Sequence, residues 1–393
     1  MRLALWLILG IVTGAYTSVA MLIFLLASVA ALATALLLRR RPIGQSIAIA
    51  ATTFLIGATL AARQRDELAA RHMTIWQWQQ EQKTPDASTR IGRSRLFFLH
   101  QRERLLTHYQ RQGLEGEAYA IVAATTLGDK SAIDKDLRQT YSVSGAAHVL
   151  ALSGMHIGII YALLSLFMTG RRRRIVTQVV LIMAIWGFVF LVGMPVSAVR
   201  AAAMISLYAL LSLGYREKMS VNALAFTAIV ILMVSPYTLF DVGFQMSYMA
   251  VLSILVWMPV MERWPSQAFL RRHRLVRWAW GLTAVSIAAQ AGVAPLVAYY
   301  FGRISTYFLL TNFLVLPAIT LILWIALATL VIAPLSPVLT AVVGGLNTGL
   351  RVISRLPGSS IEGVHPTLLQ VLLVYVILLC IYWIISLVPS RQR

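Results

Sequence analysis

Nine polar side chains interrupt the long apolar stretches of the chain, and their chemistry asks for an explanation. A polar group inside a bilayer is costly and is retained where it lines water, pairs with another polar group or binds a substrate. The nine residues are His148, Ser153, His156, Arg200, Asp241, Gln245, Ser247, Gln290 and Asn312. By the spans predicted below, all of them lie in the outer half of the membrane or near its middle. The pattern predicts a water-filled cavity that opens to the outside and narrows towards the cytoplasm.

Several of these side chains have structural alternatives that the sequence leaves open. Arg200 lies near the end of a span, where its head can extend to the lipid headgroups. His148 and His156 are about 80° apart around a helix, so on an unbroken helix they cannot share a metal ion, and helix packing is the alternative role. Ser153-Gly154 is either a small-residue packing point or a break in the helix that exposes backbone groups to water.

Common catalytic and metal-binding motifs are absent from the sequence. The patterns G-x-x-x-x-G-K-[ST], H-E-x-x-H, C-x-x-C and G-x-S-x-G do not occur. The single cysteine, Cys380, excludes an intrachain disulfide and a cysteine-cluster metal site. Asp241 is the one carboxylate predicted in the membrane, which argues against a proton-coupled pump. Gln245 and Ser247, close by, are either cavity residues or hydrogen-bonding groups between helices. We therefore expect no enzymatic activity, cofactor or metal.

The elements that position these residues are membrane-spanning helices. The chain is 59% hydrophobic and 12% charged, whereas soluble domains carry roughly 25% charged residues. Many uncharged blocks reach the roughly 20 residues that cross a bilayer. We predict spans at residues 3–20, 21–38, 44–62, 146–168, 175–193, 196–214, 221–239, 243–261, 277–299, 305–333 and 367–388. The apolar stretch 335–355, which carries Pro337 and Arg351, is predicted as a twelfth, broken span or an interfacial helix.

Positive charges in the short loops predict the orientation. Four clusters of arginine and lysine, at residues 39–41, 171–174, 216–218 and 263–277, fall on one side of the predicted spans. That side is therefore predicted to be cytoplasmic, together with the N-terminus. The loops on the other side hold few positive charges, as the external side should.

Three regions follow from the spans: transmembrane helices at 1–62, an external polar segment at 63–145 and the main transmembrane domain at 146–388. The fold class is all-α, an integral membrane bundle of about ten to twelve helices with a short external helical insertion. The external segment holds most of the chain's 14 acidic residues. Its length allows it to be exported whatever its charge.

A basic amphipathic helix is predicted at 93–111 in the external segment, after a linker at 85–89. Its face either binds anionic lipid headgroups or collects a polyanion at the outer mouth by charge and aromatic stacking. The candidate binding residues are Arg93, Arg95, Phe97, Phe98, Arg102, Arg104, Tyr109 and Arg111. A second helix is predicted at 115–127, with Gly128 as its C-cap.

Four blocks of the sequence resemble the competence protein ComEC family. The first is His148-Val-Leu-Ala-Leu-Ser-Gly-Met-His-Ile-Gly158, preceded by Leu127-Gly-Asp-Lys130. The others are Ser197-Ala-Val-Arg-Ala-Ala-Ala-Met204, Asp241-Val-Gly-Phe-Gln-Met-Ser247 after Pro236, and Asn312-Phe-Leu-Val-Leu-Pro317. The first and third blocks together are the most specific. The resemblance covers roughly residues 93–333.

The resemblance implies a channel that passes single-stranded DNA across the bacterial inner membrane during natural transformation. The strand would be pulled by a separate cytoplasmic motor ATPase, and a separate nuclease, OB-domain protein or DNA receptor would serve the channel. The residues that would line or shape the pathway are Gly128, Asp129, Lys130, His148, Ser153, Gly154, His156, Arg200, Asp241, Gln245, Ser247 and Asn312.

Members of that family typically also carry an external OB-like domain and a C-terminal metallo-β-lactamase-like domain, and we expect this chain to lack both. About 30 residues before the amphipathic helix are too few for an OB barrel, and only residues 388–393 follow the last span. Two other functions therefore stay open. One is a transporter of a small anionic solute or lipid, with Arg200 and the histidines as its site, and the other is a non-transporting membrane scaffold.

Overall fold

The computed structural model describes residues 1–75, 77, 90–166, 174–213, 221–264 and 267–387. Within these ranges the chain forms sixteen α-helices and two strands of three residues each. The helices are α1 (Arg2–Tyr16), α2 (Met21–Leu37), α3 (Pro42–Ala70), α4 (Arg90–Arg111), α5 (Gly116–Leu127), α6 (Lys135–Val143), α7 (Gly154–Leu166), α8 (Arg174–Leu191), α9 (Val196–Leu213), α10 (Val221–Val234), α11 (Val242–Met261), α12 (Gln267–Arg272), α13 (Arg274–Phe301), α14 (Phe308–Thr329), α15 (Ser336–Arg355) and α16 (Leu368–Leu387). The strands are β1 (Arg303–Ser305) and β2 (Ser360–Glu362).

The chain is an all-α polytopic membrane protein, as its composition predicts. Six segments of the described chain are long and apolar enough to cross a membrane: Met21–Arg40, Pro42–Ala70, Val242–Met261, Arg274–Phe301, Phe308–Thr329 and Leu368–Leu387. Shorter apolar helices accompany them at Arg2–Tyr16, Gly154–Leu166, Ile175–Leu191, Val196–Leu210 and Val221–Val234. The linker predicted at 85–89 and the basic clusters at 171–173 and 216–218 lie outside the described residues.

The predicted span at 146–168 is wrong in its first part, because its α-helix begins only at Gly154. Residues Ala147–Val149 form a single 3₁₀ turn, and Gly145 has a φ of 86°. Only glycine adopts that conformation without a steric cost. The backbone therefore leaves the helical path before Ser153-Gly154, which is the break that one of the two predicted alternatives required.

The stretch predicted as a broken span or interfacial helix at 335–355 is one continuous helix, α15. Its buried apolar side chains recur at helical spacing, which makes one face of the helix apolar. They are Leu339, Val343, Leu346, Leu350 and Ile353. The polar residues Asn347 and Arg351 lie near this face, so α15 packs inside the protein as an amphipathic helix.

Contacts divide the chain into two compact units, Met1–Asp86 with Leu210–Gln245 and Ala87–Ala209 with Met246–Arg393. In the first unit α1 and α3 pack at very close range through glycines. A Cβ atom on Gly57 would lie 2.4 Å from the carbonyl oxygen of Leu7, and one on Gly10 would lie 1.9 Å from that of Phe54. Small residues of this kind allow helix backbones to approach each other in membrane proteins.

Arg65 on α3 closes the turn between α1 and α2. Its guanidinium donates to the carbonyl oxygens of Gly14 and Thr17, and Nη2 donates to that of Val19 at 3.0 Å. The last carbonyls of α1 have no partner within their own helix, so this arginine acts as their cap. Arg65 lies in the part of α3 that continues to Ala70, past the end predicted at residue 62.

The core of the second unit is formed around α5. The helix predicted at 115–127 is confirmed, and Gly128 caps it with a φ of 72°. However, nearly every side chain of α5 is buried, and together they pack against α14 and α15. A helix that is apolar on all sides belongs in a protein interior. The segment predicted as external thus supplies the centre of this unit instead of only a surface layer.

The two short strands pair antiparallel, with Arg303 opposite Glu362 and Ser305 opposite Ser360. Arg303 connects this sheet to α6: its Nη2 lies 3.0 Å from Oε1 of Glu362, and its Nη1 donates to Oγ of Ser142 at 2.9 Å. The sheet therefore joins the turn before α14, the segment after α15 and the end of α6.

Candidate functional site

The non-helical segment between α6 and α7, residues 144–153, lies where several elements of the second unit meet, and we call it the central loop. Thr311 on α14 donates its hydroxyl to the carbonyl oxygen of Ser144 at 2.7 Å. Ser197 on α9 donates to that of Leu152 at 2.5 Å. These bonds satisfy backbone groups that helix formation leaves open, so side chains from two apolar helices hold the loop at both ends.

His156 is the most deeply buried of the predicted site residues, with no exposed surface. The backbone N–H of Ser153 donates to its Nδ1 at 3.2 Å, and Oγ of Ser153 lies 3.0 Å from the same nitrogen. Because Nδ1 accepts a hydrogen bond, the ring proton is on Nε2. Nε2 is buried and has no hydrogen-bond partner among the described residues. The described residues therefore leave one buried donor of His156 unsatisfied.

Gly128 brings the carboxyl end of α5 against the central loop. A Cβ atom at this position would lie 2.7 Å from Cδ1 of Leu152, so glycine is needed for the contact as well as for the φ angle. Asp129 forms a local turn, accepting from the backbone N–H and the hydroxyl of Ser131, each at 3.1 Å. Lys130 is exposed.

Arg200 lies on α9 and is only 3% exposed. Its neighbours Ala198 and Ala201 pack in one cluster with Leu152 and Ile157, so the arginine is on the helix that forms the other wall of the central loop. A buried guanidinium is a concentrated positive charge with five donors. The alternative in which Arg200 extends to the lipid headgroups is hard to reconcile with this burial.

The structure thus gathers Gly128, Ser153, Gly154, His156 and Arg200 around the central loop. His148 is on the loop itself, but its side chain is exposed and its Nδ1 lies 3.1 Å from the carbonyl oxygen of Gly145. The two histidines are on different elements, a 3₁₀ turn and an α-helix.

Three of the remaining candidates have local partners elsewhere. In the first unit, Asp241 caps α11 by accepting from the backbone N–H of Phe244 at 2.7 Å. Gln245 donates to the carbonyl oxygen of Leu239 at 3.0 Å. In the second unit, Asn312 donates to Oγ of Ser286 on α13 at 3.1 Å. Ser247 is half-buried on α11.

The predicted amphipathic helix is α4, and its two faces separate the candidate binding residues. The exposed face carries a basic stripe, defined by Arg93, Phe97, His100, Arg104 and Arg111. These positions recur at helical spacing along about five turns of the helix. The remaining candidates, Arg95, Phe98, Arg102 and Tyr109, are on the packed face.

The packed face of α4 removes its residues from any role in stacking or charge capture. Tyr109 is 1% exposed and donates to the carbonyl oxygen of Ala326 at 3.0 Å. Arg95 donates to that of Gly193 at 2.9 Å, and Phe98 stacks on Phe190. Burial raises the pKa of the Tyr109 hydroxyl. Tyr109 therefore belongs to the core, and the exposed members of the candidate set on α4 are those of the basic stripe.

A polar network at the interface of α5, α6 and α15 was not predicted. Tyr141 donates to Oδ1 of Asn347, and Nδ2 of Asn347 donates to Oε2 of Glu117, each at 2.8 Å. Glu117 also pairs with Arg351. The one signal in the sequence was a charged residue, Arg351, inside the apolar stretch 335–355. Its partners come from a segment more than 200 residues away, which sequence spacing does not reveal.

Residues 125–388 match the family described as Competence protein. The chain is similar to ComE operon protein 3 of Bacillus subtilis (strain 168), with 30% identity over 213 residues, which are 53% of this chain and 25% of that protein. It is also similar to an uncharacterized protein of Aquifex aeolicus (strain VF5), with 27% identity over 201 residues, 51% of this chain and 45% of that protein.

The similarity thus covers less than half the length of either relative. No solved structure matches the chain. The family match begins in the last turn of α5 and ends just after α16. It therefore contains the central loop, Arg200 and Asn312. The chain belongs to the competence protein family.

Proposed function

We propose that the chain forms a transmembrane passage for a single strand of DNA during competence, with the central loop and His156 at its narrow part. The observation that carries the proposal is the buried Nε2 of His156, a hydrogen-bond donor without a partner among the described residues. It lies beside a non-helical segment at the start of an apolar helix. Such backbone is tolerated at membrane depth where it is buried in protein or lines water.

Charge in the same unit supports a polyanionic cargo. Arg200 is buried on the helix that packs against the central loop. A path for single-stranded nucleic acid combines positive charge with an aqueous groove. The basic stripe on α4 is a candidate surface for collecting the strand, and the exposed Phe97 is the aromatic side chain in it.

The contact between Asn312 and Ser286 supports a polar interior. Asn312 is in the first turns of α14, whereas Ser286 is near the middle of the candidate membrane span α13. The segment 302–307 between the two helices therefore folds back along α13. Within this segment, Oγ of Ser305 would lie 2.7 Å from a Cβ atom on Gly145, so β1 packs against the central loop.

The proposal includes an orientation and partners. The N-terminus and the loop arginines lie in the cytoplasm, the bilayer is the inner membrane, and the amphipathic helix α4 faces the exterior. Conduction of a strand needs a driving force, and a separate motor ATPase on the cytoplasmic side would supply it. A separate nuclease and an OB-domain or receptor protein would deliver the strand.

Uptake of labelled DNA tests the proposal. In a strain that lacks the chain, we expect labelled DNA to stay outside the cytoplasm, and the wild-type gene to restore its entry. Arg200→Ala should not restore entry although the protein reaches the membrane in normal amount. Arg138→Ala, on the exposed face of α6, is the control and should restore it. Normal transformation of the deletion strain, with loss of uptake of a small anionic solute, would contradict the proposal and favour the transporter alternative.

A further inference from the structure

A polar cavity of about 250 Å³ lies between α6 and the carboxyl end of α15. We call it the arginine pocket. It is lined by Asp136, Gln139, Thr140, Val143, Arg351, Ser354 and Arg355. Hydroxyl, amide and guanidinium groups supply most of this surface, and Val143 is the one apolar residue in the lining.

Arg351 is held in the wall of this pocket by the buried network described above. Its ion pair with Glu117 is supported by Asn347, which is 1% exposed, and by Tyr141, which is fully buried. Burial raises the pKa of the Tyr141 hydroxyl, and the charge of Glu117 raises it further. The hydroxyl therefore stays protonated as the donor to Asn347. A guanidinium has five donors, so the pair with Glu117 leaves Arg351 with further N–H groups.

Arg355 is one helical turn further along α15 and is exposed. No ion pair or side-chain hydrogen bond ties it to another of the residues that the structure describes, so its charge is available to a ligand. Each guanidinium carries a planar fork of N–H donors that matches phosphate oxygens, and both arginines are in the lining of the pocket. Hydroxyl groups from Thr140 and Ser354 are in the same lining.

Two features weaken the attraction of this pocket for anions. Asp136 places a carboxylate in its wall, and the carboxyl end of a helix carries partial negative charge. A site that passes a charged cargo along must bind it strongly enough for entry and weakly enough for release. The charges around Arg355 fit transient binding better than storage of an anion.

We propose that the arginine pocket holds one phosphodiester group of a single DNA strand in transit, a proposal that rests on the proposed function. Phosphate oxygens would accept from Arg355 and from the remaining donors of Arg351. A lipid headgroup carries the same phosphate, but its acyl chains need an apolar surface, and Val143 is the one apolar residue in the lining. A phosphate of a nucleic-acid backbone has no such requirement.

Binding of an oligonucleotide to the full chain in phosphatidylcholine nanodiscs tests the pocket. We expect Arg355→Gln to weaken binding of a fluorescent single-stranded oligonucleotide about tenfold at low salt, the loss of one charge-assisted contact. The slope of the affinity against salt should fall by about 0.7. Arg138→Gln removes the same charge from the opposite face of α6 and should change the affinity less than twofold. Arg355→Lys should restore part of it.

Asp136→Asn gives a test of opposite sign. Removal of its carboxylate should tighten oligonucleotide binding severalfold, because the repulsion of the phosphate is lost. An oligonucleotide with an uncharged methylphosphonate backbone should bind weakly and should not distinguish Arg355→Gln from the unchanged protein. Equal effects of Arg355→Gln and Arg138→Gln on binding would overturn the pocket proposal. Equal affinity for the methylphosphonate and the phosphodiester oligonucleotide would overturn it as well.

The two proposals fail separately. One outcome is that deletion of the chain abolishes DNA entry while the Arg355 and Asp136 variants bind and transport DNA like the unchanged protein. In that case the pocket proposal is wrong and the proposed function is retained. If anionic vesicles protect Arg355 from modification and the oligonucleotide does not, the occupant is a lipid headgroup and the pocket proposal is overturned. If the deletion strain takes up DNA normally, the proposed function itself is wrong.

Discussion

His156 has two ring nitrogens in different situations. Nδ1 accepts the hydrogen bond that starts α7, while Nε2 is buried without a partner among the described residues. The first nitrogen is therefore structural, and the proposed function assigns the second to the DNA strand. Asparagine places its amide near the position of Nδ1, and glutamine places its amide near that of Nε2, so substitutions can separate the two roles.

We expect His156→Asn to keep the protein folded and to lower DNA entry at least tenfold, because it retains an acceptor for Ser153 but loses the second donor. His156→Gln should keep more of the entry. Transformation frequency, normalised to the amount of protein in the membrane, measures both. His72→Asn, at an exposed position outside the central loop with a φ of 52° that asparagine tolerates, is the control. Similar transformation frequencies with all three variants would show that Nε2 of His156 has no role in DNA entry.

The network around Arg351 gives a prediction about stability. Tyr141→Phe removes a buried hydroxyl and leaves Oδ1 of Asn347 without its donor, which should cost about 1–3 kcal/mol. Thermal unfolding of the purified protein in detergent measures the loss. Tyr119→Phe, at a half-buried position on α5, is the matched control and should change the unfolding temperature little. If the two variants unfold at the same temperature, the network does not stabilise the fold.

Among the elements, α1 and α3 depend most clearly on glycine. We expect Gly57→Ala to destabilise the first unit, because its Cβ would lie 2.4 Å from a backbone oxygen that cannot move without moving α1. Gly187→Ala on α8 has open space around it and should be neutral or stabilising by up to about 1 kcal/mol. Protease resistance of the two variants in membranes compares them. Equal protease resistance of the two variants would mean that the close approach of α1 and α3 does not stabilise the first unit.

Elements with strong local signals were predictable from the sequence. The cap at Gly128 and the amphipathic helix at 93–111 follow from glycine conformation and from helical periodicity. The start of α7 at Gly154 was visible only as an alternative, because an apolar run with one Ser-Gly pair does not distinguish packing from a break.

Which side of an element faces a partner was harder to predict. Periodicity placed Arg93 and Arg95 on one helix but did not show that the first is exposed and the second bonds Gly193. The pair of Glu117 and Arg351 joins positions distant in sequence. Such contacts depend on how helices are arranged in three dimensions, and a single sequence carries no direct signal for them.

At the scale of the whole molecule, the orientation can be measured with single cysteines. In a Cys380→Ser background, we expect Arg138→Cys to react with a membrane-impermeant maleimide added outside the cell. Arg40→Cys should react only after the membrane is opened. The reason is the distribution of positive loop charges, which places residues 39–41 in the cytoplasm. Labelling of Arg40→Cys in intact cells would reverse the orientation.

The core of the second unit has a consequence for how the chain is made. Tyr109 and its partner Ala326 are 217 residues apart, and α5 packs against α14 and α15. A ribosome that adds about 5–20 residues per second needs about 10–45 s for that interval. Throughout it the nascent α5 lacks the helices that will enclose it. The apolar helix α5 is therefore synthesised well before α14 and α15, which bury it. A chain stopped before α14 should be a preferred target for quality-control proteases.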